Sequence, residues 1–493
     1  MTSGEVWVAL AVAVDIAFRI VALVIVPRNR RPQTAMAWLL AIFFIPYFGF
    51  LAFIAFGSRR LPKKRRQKQV AINAHVRNRS TLLDDGIVVA PEDISNRPEF
   101  PRWLAQTVRM NEHLGAMPMV AGNSLDFFPD YEASLAEMAA AIRHARTTVH
   151  VEFYIMSFDE VTQDFFAAMG DAASKGVTVR VLYDQVASFR IAGYRNFVAE
   201  LKRLGVQYRA SLPVQPWRGV YQRPDLRNHR KLLIVDSETA YTGSQNIIEP
   251  HYRKKSHRLR GLTWLDLMVR VRGPLADSLE TLFVSDWYQE TGELLDTPKP
   301  RSNSSAVEGR NVWAQVVPSG PAFEGENNLR LFNSMVYGAR QRLIISSPYF
   351  VPDESMRYAI TTAAERGVDV NIMMSEIADQ RLVFHAQRSY YDELLAAGVK
   401  IWLYRAPTIL HAKFIIVDDS MSVIGSSNID MRSFSLNLEV SVLLASPSVV
   451  QELDALYETY RANSRRLTVE GWQARPLYQR FVEGLARLTA TVQ

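Results

Sequence analysis

The sequence predicts an α/β fold of two duplicated lobes, each a mixed, largely parallel sheet flanked by helices, preceded by an N-terminal two-helix membrane anchor. Three observations predict it. First, the polar skeleton of NHRKLLIVDSETAYTGSQN (228–246) recurs in LHAKFIIVDDSMSVIGSSN (410–428). His229 pairs with His411, Lys231 with Lys413, Asp236 with Asp418, Gly243 with Gly425, Ser244 with Ser426 and Asn246 with Asn428, always 182 residues apart. Second, strand-like and helix-like segments alternate in the same order ahead of each copy. Third, two apolar runs of 21 and 22 residues, 6–26 and 35–56, open the chain. Each is long enough to span ~30 Å of hydrocarbon.

In the first run Asp15 and Arg19 stand four apart, on one helical face, where they can pair. The connection after it carries Arg28, Arg30 and Arg31, and the segment after the second run carries seven basic residues from Arg59 to Lys68. Counting basic flanks places the N-terminus and the main body in the cytoplasm, on the inner face of the cell membrane. The Arg-rich connection fits this poorly. Pro46 and Gly49 inside the second run leave room for a kinked or re-entrant segment instead. The basic flank is expected against anionic headgroups, or to serve as a plain stop-transfer flank. It also explains the net charge of +7: residues 1–68 hold eleven basic and two acidic residues, leaving 46 basic against 48 acidic in the body. A near-neutral body excludes the broad basic footprint of a nucleic-acid binder. With no cysteine in 493 residues there is no disulfide framework and no thiolate metal site.

The expected divisions are an anchor over 1–68, a connector over 69–100, a first lobe over 101–295, a linker over 296–310 and a second lobe with C-terminal helices over 311–493. In the first lobe, helical spacing marks 130–145, 159–173 and 194–204, and β-branched runs mark strands at 149–156, 177–183 and from 206. Residues 297–309 (TPKPRSNSSAVEG) have linker composition. The second lobe repeats the order: helix 327–338, strand 342–346, helix 355–366, strand 368–373, helix 388–397 and strand 399–404, then the second motif. Two helices are expected in the tail, the last, 477–489, amphipathic. It is expected to pack on the second lobe, with the membrane interface as the other reading.

His229 and Lys231 are two apart on a strand, so both face the same way, as do His411 and Lys413. Two such pairs brought together supply a nucleophile, a general acid/base and fixed positive charge. Ser244, Asn246, Ser426 and Asn428 are candidate phosphate-binding donors. Asp236 and Asp418 belong to the same motif and are counted with its catalytic residues, although opposite parity turns them away from the His–Lys face. The set suits a phosphodiester monoanion. No metal-binding motif is present, and no metal or other cofactor is expected.

These two stretches resemble the duplicated H-x-K-x-x-x-x-D-x-x-x-x-x-x-G-S-x-N motif of the phospholipase D superfamily. Within it the chain is similar to the bacterial cardiolipin synthases through RRPQTAMAWLL, IPYFGF, VEFYI, RNHRK, VVPSGP, SSPYFVPDE, RSYYDELLAAGVKIWLY and GSSNIDMRSFSLNLE. The resemblance implies two lobes with one site at their interface and phosphatidylglycerol as substrate. It further implies His229 as nucleophile forming a phosphatidyl-histidine, His411 as acid/base, and Lys231, Lys413, Asn246 and Asn428 on the non-bridging oxygens. It also implies an acid behind each imidazole, Asp266 in the first half and Glu439 in the second. One stretch departs: QNIIEPHY stands where such synthases read N-I-G-D-E-Y, which leaves Glu249 without an assigned role.

The expected partners are phosphatidylglycerol and anionic membrane lipids, with no nucleic acid. Arg223, Arg227, Arg230 and the basic run 253–260 are read either as steering an anionic headgroup or as a solvated face. The alternative function is a phospholipase D-type phosphodiesterase hydrolysing phospholipid or nucleic acid with the same site; a non-catalytic lipid-binding scaffold is the third.

Overall fold

A computed structural model describes residues 2–28, 30, 32–57, 62, 65–69, 71–72, 87–115, 117–215, 222–296, 311–323 and 325–489. The chain divides into two compact units, Met1–Leu61 and Pro62–Gln493.

In the first unit, helix Ser3–Ile25 starts with a capping box between Thr2 and Glu5. Asp15 and Arg19 pair at 2.7 Å, as their spacing predicts. The helix is long and apolar enough to cross a membrane, and most of its apolar side chains face outward. The second apolar run is not one span. It breaks at Ile45 into Pro32–Phe44 and Pro46–Phe56, of 13 and 11 residues. At 1.5 Å per residue each covers about 20 Å or less, short of the bilayer core. Pro46 causes the break, because it removes a helical N–H and pushes residue 45 out of the α region. The two short helices then pack against each other, so closely that a Cβ on Gly49 would lie 2.5 Å from the Ala41 carbonyl oxygen. Arg30 donates to the carbonyls of Val26 (2.7 Å) and Gly57 (3.0 Å), closing the C-terminal ends of the first and third helices together.

The second unit contains a sheet of fifteen strands. The first lobe contributes β1 (Val120–Phe128), β2 (Thr148–Phe153), β3 (Thr178–Asp184), β4 (Gln207–Ser211), β5 (Lys231–Val235), β6 (Thr239–Gly243) and β8 (Met268–Arg272), with β7 (Thr263–Leu265) set apart. The second contributes β9 (Val312–Ser319), β10 (Arg342–Ser346), β12 (Asp369–Ser375), β13 (Lys400–Tyr404), β15 (Phe414–Val417), β16 (Met421–Gly425), β18 (Glu439–Ala445) and β19 (Ser464–Leu467). The short β11 (Phe350–Val351), β14 (Thr408–Leu410) and β17 (Ile429–Asp430) lie outside the large sheet. The first lobe runs 4-3-2-5-6-8-1 and the second 19-13-12-10-15-16-18-9, so every strand but the edge strand β19 has its counterpart about the antiparallel β1–β9 ladder. That ladder pairs what would otherwise be an open edge on each lobe. Within the large sheet, parallel pairing is confined to the flanks, β2–β3–β4 and β10–β12–β13, where helices make the crossovers. The centre is antiparallel because hairpins and short returns join β5, β6 and β8, and β15, β16 and β18.

The helix Pro274–Thr291 is buried around its whole circumference from Pro274 to Trp287 and packs on strands of both lobes, including β1 and β9. A helix buried all round shows little amphipathic period, and the sequence reading does not assign it. The expected helix 388–397 is two, Arg381–Arg388 and Tyr391–Ala396. The tail holds helix Pro447–Ala462, edge strand β19 and two further helices, the last Leu477–Arg487. The linker at 297–310 and most of the connector, 73–86, lie outside the described residues. Of the basic flank, Arg65 pairs with Glu290 at 2.6 Å, and Lys68 donates to the carbonyls of Tyr288 (3.0 Å) and Gln289 (2.9 Å). Both are thus spent on a helix C-terminus rather than on headgroups; Arg59, Arg60, Lys63 and Lys64 lie outside the described residues.

Asp236 and Asp418 are not in the site. Each follows the far end of its strand, in the left-handed region at φ 55° and 51°. Asp236 accepts the N–H groups of Arg146 (2.8 Å), Thr147 (2.7 Å) and Thr148 (3.0 Å). Asp418 does the same for Arg340 (3.2 Å), Gln341 (2.8 Å) and Arg342 (3.1 Å). These bonds hold the Asp236 carboxyl below its ordinary pKa despite partial burial. They lock the start of β2 and β10 to the hairpins beside them. Asp236→Ala should therefore cost about 2 kcal/mol or more of stability and leave turnover of the folded fraction unchanged. Thermal unfolding beside kcat measures both, and a loss of kcat at full folding would return Asp236 to the site.

Candidate active site

The two motifs meet because each lobe reaches into the other. On the first side, Asp184 accepts from Arg227 (3.0 Å) and from the Asn228 N–H (2.9 Å), setting the approach to β5. The His229 N–H donates to the Leu438 carbonyl (2.9 Å), and the Leu438 N–H to that of Arg227 (2.8 Å). On the other side, β14 pairs in parallel with β7, and the His411 N–H donates to the Leu265 carbonyl (2.7 Å). Each histidine backbone is thus clamped by the residue that precedes the other lobe's acid.

The acids are crossed accordingly. Glu439 Oε2 lies 2.9 Å from His229 Nδ1, and Asp266 Oδ1 lies 2.6 Å from His411 Nδ1. The expectation of one acid behind each histidine holds as geometry, but each imidazole takes its partner from the opposite half. Engaging Nδ1 with a carboxylate sets the tautomer that leaves Nε2 as the free nitrogen. Tyr154 and Tyr349 stand edge-on to His229 and His411, with ring centroids at 4.7 and 6.4 Å.

Lys231 and Lys413 are buried and donate to the carbonyls of His229 (2.6 Å) and His411 (2.7 Å). The serines differ from expectation. Ser244 Oγ donates to Asp266 (2.6 Å) and accepts the Leu267 N–H (2.9 Å), and Ser426 Oγ donates to Glu439 and accepts the Val440 N–H (3.0 Å). A hydroxyl has one proton, so neither serine has a donor left for phosphate; both instead orient the acids. Asn246 accepts the Ile155 N–H (3.1 Å) and donates to Tyr252 (2.9 Å), whereas the buried Asn428 Oδ1 has no hydrogen-bond partner.

Of the basic residues read as steering groups or a solvated face, Arg227 and Arg230 are neither, whereas Lys254, Lys255, Arg258 and Arg260 are exposed. Arg227 is buried against Asp184, and Arg230 against Asp286 and the Glu439 carbonyl. Arg223 pairs with Asp225, and Arg258 with Glu249 at 2.7 Å, which gives Glu249 a structural role. Sequence reasoning missed this layer, including Glu152, which accepts from Asn228. Alternation along the strand carried the signal: Arg230, between His229 and Lys231, has to point to the opposite face.

Burial dominates the electrostatics. It lowers the His229 pKa to about 4, with Lys231 and Lys413 reinforcing and Glu439 opposing. His411 is lowered by burial and by Lys413. Burial also pushes Lys231 well below its ordinary value and Lys413 to about 8. Burial would raise the two acids, but the charges of His229 and Lys231 hold Glu439 below its usual range, and those of His411 and Lys413 do the same for Asp266. Two carboxyls, two amines and two imidazoles therefore share one desolvated space. An entering phosphodiester anion would favour the charged forms of both lysines and of a protonated imidazole.

The profile of the family described as "Cardiolipin synthase, PLD-like domain" matches residues 138–287 and 334–461. A second, "Phospholipase D-nuclease N-terminal", matches residues 9–58. Cardiolipin synthase A of Pectobacterium carotovorum subsp. carotovorum (strain PC1) is 34% identical over 468 residues, covering 94% of each chain. Cardiolipin synthase A of Proteus mirabilis (strain HI4320) is 33% identical over 464 residues, covering 93% of this chain and 92% of that protein. Among solved structures, phosphatidylserine synthase of Haemophilus influenzae Rd KW20 superposes with a TM-score of 0.55 at 16% identity, over 75% of this chain and 93% of that one. At that identity it speaks for the fold alone.

The buried imidazole makes stability depend on pH. Because the His229 pKa falls from 6.5 to about 4 on folding, the unfolded chain binds more protons between those values, so stability rises with pH across that window. At about 1.4 kcal/mol per unit, acidification from pH 6.5 to 4 should cost about 3 kcal/mol through this group. His229→Asn should flatten that part of the curve of unfolding midpoint against pH; an unchanged slope would place the titration elsewhere.

Proposed function

The chain belongs to the cardiolipin synthase family with phospholipase D-like domains, and on that premise we propose that it is a membrane-bound phosphatidyltransferase that condenses two phosphatidylglycerol molecules into cardiolipin and glycerol. The observation that carries the reading is the pair of His–Lys half-sites, each imidazole held at Nδ1 by an acid of the other lobe. His229 Nε2 attacks the phosphorus of one phosphatidylglycerol as the bond to the glycerol headgroup oxygen breaks. Protonated His411 delivers its proton to that leaving oxygen, giving free glycerol and a phosphatidyl-histidine. Neutral His411 then takes the proton of a headgroup hydroxyl on a second phosphatidylglycerol. That oxygen attacks phosphorus, the P–N bond breaks, and His229 is released. Lys231, Lys413 and Asn428 stabilise charge on the non-bridging oxygens as it rearranges.

The crossed acids separate the two roles. Purified protein incubated with phosphatidylglycerol should yield cardiolipin and glycerol, and phosphatidic acid alone would overturn the assignment in favour of hydrolysis. Glu439→Gln should impair attack by His229, whereas Asp266→Asn should impair proton transfer by His411 in both steps, each by at least about 10-fold. Protein denatured at alkaline pH during turnover should carry a phosphatidyl adduct on the His229 peptide, readable by mass spectrometry. An adduct on His411 instead would reverse the roles.

The anchor geometry bears on orientation. Because Arg30 bonds the carbonyls of both Val26 and Gly57, the C-terminal ends of Ser3–Ile25 and Pro46–Phe56 lie on one side. One span followed by a re-entrant hairpin gathers both basic groups in the cytoplasm with the body, and puts the N-terminus across the membrane. Thr2→Cys, in a chain otherwise free of cysteine, should react with a membrane-impermeant maleimide added outside intact cells. Protection until the cells are opened would restore two full spans.

A further inference from the structure

The helix Leu477–Arg487 packs on the catalytic body the wrong way round for an ordinary surface helix. It turns its polar side inward: Glu483 is 1% exposed and pairs with Arg388 (2.7 Å) and Arg475 (3.0 Å), and Gln479 accepts from Arg388 (3.2 Å). Its apolar side faces out. Leu477, Phe481 and Leu488 are 77%, 68% and 77% exposed, with Tyr478, Val482 and Leu485 beside them. At 3.6 residues per turn these six positions cover an arc of about 140°. No acidic residue interrupts the arc, and the exposed Arg480 and Arg487 flank one edge of it. An amphipathic helix that had only to fold would bury this stripe; exposed and contiguous, it marks an interaction surface.

We propose that this helix is a second membrane contact, lying in the headgroup region with Leu477, Phe481, Leu485 and Leu488 inserted and Arg480 and Arg487 reaching anionic headgroups. Three features favour a lipid surface over a protein partner. The arc is the outer, convex side of a single helix. Its cationic edge and its tyrosine suit the boundary between headgroups and acyl chains. The same chain already carries an apolar helix long enough to cross a bilayer, so lipid is always at hand. The surface also leads toward the site. The helix rests on Arg381–Arg388, which exposes Leu382 and starts just after Asp379; Asp379 accepts from Tyr349 (2.9 Å), whose ring stands edge-on to His411. Docking here would hold that rim of the site against the layer from which a lipid substrate enters.

The absence of native cysteine makes the test direct. A nitroxide is attached to full-length protein at Phe481→Cys or Leu485→Cys, in vesicles containing phosphatidylglycerol. Collision with oxygen is compared with collision with a water-soluble nickel chelate. Leu23→Cys, in the long apolar helix, and Lys175→Cys, on the exposed body, serve as references. Docking predicts oxygen-dominated relaxation at 481 and 485, as at 23, lost when the protein is moved to a detergent-free nonionic polymer. Chelate access equal to that at 175 would overturn the proposal, and dipolar broadening between labelled copies would replace it with a self-association surface. Label depth is read without turnover, so the result stands or falls separately from the assignment of the reaction.

Discussion

Six buried side chains, those of two histidines, two lysines and two acids, form the constraint on which the body depends. None of them could be left alone at that depth. A charge stripped of water costs several kcal/mol unless an opposite charge meets it with good geometry, and removing one partner of such a set costs about 3–5 kcal/mol. Each carboxylate here comes from the lobe opposite to the imidazole it serves. Separating the lobes would therefore strand both acids at once. The continuous sheet follows the same logic, because the β1–β9 ladder and the buried helix Pro274–Thr291 hold the lobes at the one spacing that closes both pairs.

Symmetry of backbone does not mean equality of the two half-sites. The strand order mirrors itself, and both histidine backbones are clamped by the residue before the crossed acid. Behind that frame the halves diverge. Arg230 ties the first half to Asp286, where the second half has the apolar Ala412. Asn246 is spent on Ile155 and Tyr252, while Asn428 keeps an unpaired oxygen. Different surroundings for like residues are how one pair of groups takes two roles.

Much of the fold was legible. The strand–helix alternation recovered Asn327–Gly338 and Arg342–Ser346 to the residue, because β-branched runs and glycine stops are local signals. The buried helix Pro274–Thr291 escaped because burial on all sides erases the period that marks a helix. The second apolar run was legible in part: its hydropathy is continuous, but Pro46 left room for the kink that breaks it at Ile45. Ser244 and Ser426 were placed on phosphate because a hydroxyl is a generic donor. Only the positions of Asp266 and Glu439 show that each proton is already committed.

By itself the sequence determined that one motif occurs twice, 182 residues apart, and that His and Lys share a strand face in each copy. Those follow from period and spacing, which are properties of the chain. The tertiary structure alone decided which acid holds which histidine, which N–H groups Asp236 and Asp418 accept, and that the last helix keeps its apolar side outward. Partnerships between residues 145 and 210 positions apart, such as His411 with Asp266 and His229 with Glu439, depend on how the lobes meet. No local pattern encodes that meeting; it is set by how the lobes pack along the β1–β9 ladder.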